Sequence, residues 1–178
     1  MEYSNIMRRD KYIILGKGAS GKDWLCKKLE EAGYKKMVLY TTRPIRPNEK
    51  QDVDYHFVSK QWFLEHINEF VNHESFIGWF YGFTKKDLKE CDVCVLPPRT
   101  LKKVLPYIKD RKIIYLDIDI ETRKRRLSER YGNGNEDDKL ERRIAADEKD
   151  FEHVYEDFDI WKVLKSEDDV NDFINIMI

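Results

Sequence analysis

The sequence predicts an α/β fold built on a mainly parallel sheet. Two observations lead to it. Short apolar runs alternate with segments of helical period, and the first apolar run passes through a glycine-rich loop straight into a helix. Size agrees: 178 residues, 41% hydrophobic and 38% charged, suffice for one soluble globular domain with a real core.

Five apolar runs are the predicted strands: 11–15, 37–41, 93–96, 112–119 and 160–164. Pro97-Pro98 stops the third, because proline supplies no ladder N–H. Helices are expected near 22–32, 60–68, 100–109, 121–131, 138–155 and 167–176. The polar stretch Gly132 to Asp137 separates two charged helices and reads as an exposed tip. Aromatic residues in short alternating runs between about 42 and 87, such as Tyr55-His56-Phe57-Val58 and Trp79-Phe80-Tyr81, predict a small β-rich insertion.

The stretch Gly16-Lys17-Gly18-Ala19-Ser20-Gly21-Lys22-Asp23 is the most informative. It has the order of a phosphate cradle: strand, glycine loop, lysine, helix. Glycines at 16 and 21 let the backbone turn tightly and aim N–H groups inward. The helix N-terminus adds partial positive charge where a polyphosphate would sit. Lys22 can reach the β- and γ-phosphates. The usual Ser or Thr after the lysine is Asp23. That carboxylate can hold Mg²⁺, repel phosphate, or serve simply as an acidic residue in a first helical turn.

A net charge of −1 gives no overall argument for a nucleic-acid or acidic-membrane partner. No apolar run approaches a membrane span, and the first ten residues lack the apolar core of a secretory signal, so neither is expected. Three cysteines suit a reducing cytoplasm. Cys91-x-x-Cys94 has no second pair and reads as buried strand thiols. The four histidines show no metal-ligand spacing.

A second motif is Thr41-Thr42-Arg43-Pro44-Ile45-Arg46-Pro47-Asn48-Glu49, followed by Asp54-Tyr55-His56-Phe57. Arg43 and Arg46 can converge on one phosphate, and Tyr55 can add a hydroxyl. Taken alone, two arginines in a polar loop usually form a solvated surface. Together with the phosphate loop, the segment resembles the guanylate kinase family pattern T-T-R-x-x-R-x-G-E-x-x-G-x-D-Y-x-F. Asn48 and Asp52 stand where that family has glycine, and both tolerate left-handed turns. The resemblance continues through Phe70, Tyr81-Gly82, Arg126-Leu127-x-x-Arg130 and Arg142-Arg143-Ile144-x-Ala146.

That resemblance implies an ATP-dependent nucleoside monophosphate kinase using Mg²⁺. Its fold would be a three-layer P-loop kinase core with a mainly parallel five-stranded sheet. The core would comprise about 1–41, 88–122 and 146–178, the monophosphate-binding insertion about 42–87, and the helical lid about 123–145. Gly16 to Asp23 would bind ATP, with Asp23 at the metal. Arg43, Arg46, Tyr55, Asn72 and Tyr81 would bind the acceptor. Lys22, Arg43, Arg126, Arg130 and Arg143 would carry catalysis. Arg123, Arg126 and Arg130 recur at i, i+3 and i+7, on one helix face, which by itself is also the spacing of a solvated basic face.

Departures from the family pattern cluster at base recognition. An acidic residue is expected two positions after Phe70; here it is Asn72, with Glu74 two residues further on. Phe83 replaces a hydroxyl after Tyr81-Gly82. The third strand ends in Pro97-Pro98-Arg99 instead of an Asp-Ile-Asp-like segment, and Asp117-Ile118-Asp119 stands at the end of the next strand, where helix capping is a sufficient explanation. GMP or dGMP is the first candidate acceptor, but another base is open. So are a nucleotide-binding or interaction module with little catalysis, and a P-loop kinase for a different small molecule. Nothing in the sequence sets the oligomeric state.

Overall fold

The structure, a computed structural model, describes residues 10–76, 78–108, 110–131 and 137–177; for 76, 130–131, 137–140 and 143 it describes the backbone alone. Strand β1 (Lys11–Gly16) lies inside a wholly parallel sheet of order β6-β1-β7-β8, with β6 at Val93–Val95, β7 at Arg111–Leu116 and β8 at Ile160–Leu164. A strand paired on both edges and covered on both faces should be apolar throughout. Tyr12, Ile13, Ile14 and Leu15 are each no more than 1% exposed.

Alternation along the strands sorts these side chains into two cores. Ile13, Leu15, Ile113 and Tyr115 face Leu101 and Val104 of helix α4 (Pro98–Val104), together with Phe151 and Val154. Tyr12, Ile14, Ile114 and Leu116 face Leu25 and Leu29 of α1 (Lys22–Glu31), and Val170, Phe173 and Ile174 of α8 (Glu167–Met177). Each such side chain stabilises the fold by roughly 1.5–3 kcal/mol relative to exposure. Helix, sheet, helix are the three layers expected. Cys26, Cys91 and Cys94 are free, buried thiols.

Among the described residues the parallel sheet has four strands, not five. The run 37–41 divides. Lys36 makes a single parallel bridge to Val93 and Met37 donates its N–H to the Val93 carbonyl at 2.8 Å. The chain then leaves, and β2 (Leu39–Thr41) joins a second sheet of order β3-β2-β5-β4. Met37 is buried in the core, whereas Tyr40 stacks on Trp62 with ring centroids 5.3 Å apart. That aromatic contact belongs to the second sheet, built from β3 (Tyr55–Phe57), β4 (Phe70–Phe76) and β5 (Trp79–Thr84).

Other boundaries also moved. Pro97-Pro98 both ends β6 and starts α4, because Pro98 takes the first helical turn, where its missing N–H costs nothing. The helix expected at 60–68 is α2 (Lys60–Glu65) followed by a short 3₁₀ turn, Ile67–Glu69. An unexpected helix, α3 (Lys85–Glu90), is set by a capping box in which the Thr84 hydroxyl accepts from Asp87 N–H and the Asp87 carboxylate accepts from Thr84 N–H. Toward the C-terminus, α5 (Ile120–Tyr131) and α6 (Asp137–Asp150) are followed by a separate short α7 (Val154–Asp157). The polar stretch 132–136 lies outside the described residues.

Candidate active site

The phosphate loop joins β1 to α1. Gly16 has to be glycine, because a Cβ there would meet the Ser20 hydroxyl and stand 3.2 Å from the Leu116 Cβ. Gly21 caps α1 with φ +96°, a left-handed backbone that side chains resist. Ala19 holds φ 59° without that freedom, a strain of about 1–3 kcal/mol of the kind found at ligand clamps. Ser20 is buried and its hydroxyl has no hydrogen-bond partner.

The loop's donors are engaged by the chain itself. Lys22 Nζ folds back to the carbonyls of Gly16 at 2.7 Å and Lys17 at 2.8 Å. Gly18 N–H donates to Asp147 Oδ2 at 2.7 Å, and Lys17 Nζ meets Glu148 Oε2 at 2.5 Å. Both acids sit on α6. Burial pushes the Glu148 carboxyl up, but the hydrogen bonds and charges of Lys17 and Arg123 outweigh it and leave it below its ordinary value. A carboxylate here takes N–H and ammonium donors that a phosphate oxygen would otherwise take.

Arg123 and Arg126 part company although three residues apart on α5. Arg123 is 1% exposed, donates to Glu148 Oε1 at 2.5 Å and to the Ile118 carbonyl at 3.2 Å, and belongs to the framework. Arg126 reaches the loop, donating to the Ala19 carbonyl at 3.0 Å, and also pairs with Glu167. Arg130 and Arg143 lie on α5 and α6, but their side chains fall outside the described residues. Asp119 caps α5 by accepting from Thr122 N–H at 2.8 Å, and Asp117 accepts from the Tyr155 hydroxyl at 2.8 Å.

The Thr41-Thr42-Arg43 stretch is organised by its hydroxyls. Thr41 Oγ1 donates to the Phe80 carbonyl at 3.1 Å and accepts from Arg43 N–H, while Thr42 Oγ1 accepts from Phe80 N–H at 3.0 Å. These contacts tie the loop to β5 and fix where Arg43 leaves the sheet. The Arg43 guanidinium grips Glu49 with two hydrogen bonds, 2.9 and 2.7 Å, and lies 5.3 Å from the centre of the Tyr55 ring. The hydrogen bond from Arg43 holds the Glu49 carboxyl below its ordinary value. Tyr55 and Tyr81 meet edge to face at 6.1 Å, so Arg43, Tyr55 and Tyr81 form one cluster. Arg46 is exposed; its backbone N–H donates to Glu49 Oε2 at 2.9 Å and its carbonyl accepts from Glu49 N–H at 3.0 Å. Asp52 takes the left-handed conformation, φ 62°, expected where the family pattern has glycine.

Burial, then the neighbouring Tyr81, raises the Tyr55 phenol, and the charge of Asp23 adds to the rise. Asp23 is exposed in the first turn of α1. Beside this lies a narrow cleft lined by Leu39, Asn72, Glu74, Tyr81, Phe83 and Thr100, among others. Sequence reasoning named Asn72 and Tyr81 here but missed Thr100 and Arg99, which enter from α4. It also missed Asp147 and Glu148, which nothing in the pattern of α6 marks out.

The sequence profile described as guanylate kinase matches residues 8–177. The chain belongs to the guanylate kinase family. It is 30% identical over 158 residues to the guanylate kinase of Nitrosospira multiformis, covering 82% of this chain and 73% of that one. A guanylate kinase of Legionella pneumophila (strain Lens) is 39% identical over 75 residues, or 40% of this chain and 36% of its own length, so that match spans about a third of that relative. The crystal structure of guanylate kinase from Anaplasma phagocytophilum superposes with a TM-score of 0.64 at 20% identity, covering 94% of this chain and 82% of that one. That likeness establishes the fold. Among the described residues no helix is long and apolar enough to cross a membrane, and no three His, Cys, Asp or Glu side chains gather as a metal site.

Proposed function

We propose that this protein is an ATP-dependent kinase that transfers the γ-phosphoryl group to a nucleoside monophosphate, GMP or dGMP first. The observation that carries the reading is the glycine loop between β1 and α1, with its close-packed Gly16, its left-handed Gly21 and its buried, unpartnered Ser20 hydroxyl. The loop would offer donors for a polyphosphate; the Arg43–Tyr55–Tyr81 cluster would offer two hydroxyls and an arginine held by Glu49, whose remaining N–H groups would meet a single phosphate.

The chemistry needs no general base. The attacking atom is a phosphate oxygen of the acceptor, already ionised at pH 7. It bonds to the γ-phosphorus while the bond to the β–γ bridging oxygen breaks and ADP leaves. Catalysis therefore rests on positioning and charge neutralisation. Lys22 and the loop N–H groups would hold the donor phosphates. Arg43, Tyr55 and Tyr81 would hold the acceptor, with Arg46 free to join them. Arg126, touching the loop at Ala19, would meet the transferring group, with Arg130 and Arg143 closing over it. Residues about 42–87 would act as the acceptor-binding insertion and about 123–145 as the lid.

Magnesium fits the donor set, since the Asp23 carboxylate and the unpartnered Ser20 hydroxyl are oxygen ligands of the kind a hard cation takes. When bound with ATP it supplies neutralisation of the phosphate charge. One observation favours a second reading: Asp147 and Glu148 already occupy donors of the phosphate loop, as a nucleotide-binding module with little catalysis would tolerate.

A coupled ADP-release assay with ATP, Mg²⁺ and a panel of ribo- and deoxynucleoside monophosphates separates the two. Turnover that disappears in Lys22→Ala is the expected result. ATP binding without turnover on any acceptor would overturn the kinase reading in favour of the module.

A further inference from the structure

We propose that Cys91 and Cys94 form a redox-active dithiol, oxidised by a hydroperoxide to a disulfide that loosens the root of the second sheet. The phosphoryl transfer above uses neither thiol. Cys91 follows α3 as its C-terminal cap residue, and Cys94 lies in the middle of β6, paired with Ile13 of β1. Both are free, both are no more than 1% exposed, and both pack into the core that holds Leu101 and Val104. Three residues apart in a flat strand they would point to opposite faces; the bend at Asp92 brings them to one.

The surroundings of Cys91 are cationic. Lys11 and Arg111 stand opposite each other at the starts of β1 and β7. Lys11 Nζ donates to the Lys89 carbonyl at 2.8 Å, and Arg111 Nη2 donates to the carbonyls of Leu88 and of Cys91, the latter at 2.9 Å. Capping the last turn of α3 explains those contacts. It leaves Arg111 Nε and Nη1, which are buried and have no hydrogen-bond partner. The Cys91 Sγ lies 3.5 Å from the same Leu88 carbonyl, so thiol and guanidinium share one acceptor. The fold thus places a positive group with donors to spare beside one sulfur. The hydrogen bond from the Cys94 thiol, with the charges of Arg111 and Lys11, outweighs burial and brings the Cys91 thiol below its ordinary value. The same pairing, and burial, hold Cys94 well above its own. One thiolate beside one protonated thiol is the pairing that thiol–disulfide chemistry uses. Cys26, in the other core, is pushed up to about 12 by burial.

The electrons balance in two steps. The Cys91 thiolate attacks an oxygen of the hydroperoxide. An S–O bond forms, the O–O bond breaks, and the alkoxide or hydroxide leaves and takes up the proton the thiol gave up. Cys91 is then a sulfenic acid. The Cys94 sulfur attacks it, the S–S bond forms, the S–O bond breaks, and hydroxide takes the Cys94 proton and leaves as water. A dithiol reductant reverses the change. Access comes through α3, which is six residues long and therefore frays at low cost. A disulfide holds its two Cα atoms about 4.4–6.8 Å apart, whereas three extended residues span about 10 Å, so closure contracts the segment 91–94. The residues between the cysteines hold the chain that leaves for the second sheet. The N–H groups of Asp92 and Val93 donate to the Lys35 carbonyl at 2.8 and 3.1 Å, and the Val93 carbonyl accepts from Met37 N–H at 2.8 Å. Oxidation strains those contacts, two residues before β2 begins.

The test treats the folded full-length chain carrying Cys26→Ala, which leaves only the pair, with hydrogen peroxide. Intact mass, peptide mapping and hydrogen exchange are the readouts. The expected result is loss of two hydrogens, mapped to a Cys91–Cys94 bridge and reversed by dithiothreitol, with faster exchange at the Met37 amide. Cys94→Ala should stop at a Cys91 sulfenic acid, trapped by dimedone, and Cys91→Ala should leave Cys94 unreacted. Arg111→Gln should slow oxidation about tenfold or more, and Arg111→Lys should restore part of the rate. The two cysteine variants keep the cap of α3 and decide the outcome if Arg111→Gln does not fold. A folded chain whose thiols resist peroxide at a concentration that oxidises them in urea overturns the proposal. So does reaction at Cys94 first, or oxidation that ends at sulfinic acid without a bridge. A bridge that leaves exchange at Met37 unchanged overturns the coupling to the second sheet.

Discussion

On the phosphate-loop side Lys22 folds back on its own loop, while Lys17, the Gly18 amide and Arg126 meet partners brought from far along the chain. Lys17 and Gly18 meet acids about 130 residues away, and Arg126 meets Glu167. On the proposed acceptor side, Arg43 meets Glu49 only six residues on, within one loop. The carboxylates look alike but do opposite things. Glu49 holds a guanidinium in place with most of its edge committed and its face over Tyr55. Asp147 occupies a backbone donor of the loop, the Gly18 N–H, which the proposed nucleotide would use. The acceptor loop is built by its own short segment; the phosphate loop, in this state, is closed by another part of the fold.

The largest expected effect tests whether the loop is catalytic at all. Lys22→Ala should lower kcat by about 10²–10³, the cost of removing one preorganised donor to a charged transition state. A steady-state assay that finds near-normal turnover would remove the loop from the mechanism. Next is Arg43→Lys. It keeps the charge but loses the two-pronged grip and the stacking on Tyr55, so the KM for the monophosphate should rise about tenfold or more with that for ATP unchanged. Equal changes in both KM values would break the division into two sites.

The paired carboxylates sharpen the comparison by sign. Asp147→Asn should tighten ATP binding about tenfold, since a charge-assisted hydrogen bond no longer competes for Gly18 N–H. Glu49→Gln should weaken monophosphate binding, because Arg43 loses its anchor. Calorimetry on both variants checks this, and the same sign in both would refute the contrast. The smallest effect concerns pH. Glu49 and Glu148 both titrate below their ordinary 4.5 in the folded protein. Their stabilising contribution is therefore present above about pH 4.5 and lost as pH falls through the folded values. Thermal melts should show a shallower acid-side loss in Glu49→Gln than in the wild type. Glu148→Gln should show less change, because Glu148 is 44% exposed against 17% for Glu49.

Much of this was legible in the residues. The loop 16–23 follows from glycines that only a close approach and a left-handed turn demand, and Asp52 in place of glycine was readable as tolerable. Buried thiols at 91 and 94 followed from an apolar run. The helix 85–90 was missed although Thr84-x-x-Asp87 spells its cap. The fate of the run 37–41 was not legible, since an apolar segment of that length pairs equally well with either sheet.

By itself the sequence determined the α/β class with a parallel sheet, the phosphate loop and the local Arg43 loop, because each depends on periodicity or on neighbours within a few residues. Only the tertiary structure decided the rest. It put Arg123 in the framework and Arg126 at the loop, brought Asp147 and Glu148 onto the phosphate donors, and set Arg99 and Thr100 of α4 against Glu74. Those contacts join residues 25 to about 130 positions apart. Their formation depends on how helices and sheets dock, a property of summed packing that no local pattern of charges encodes.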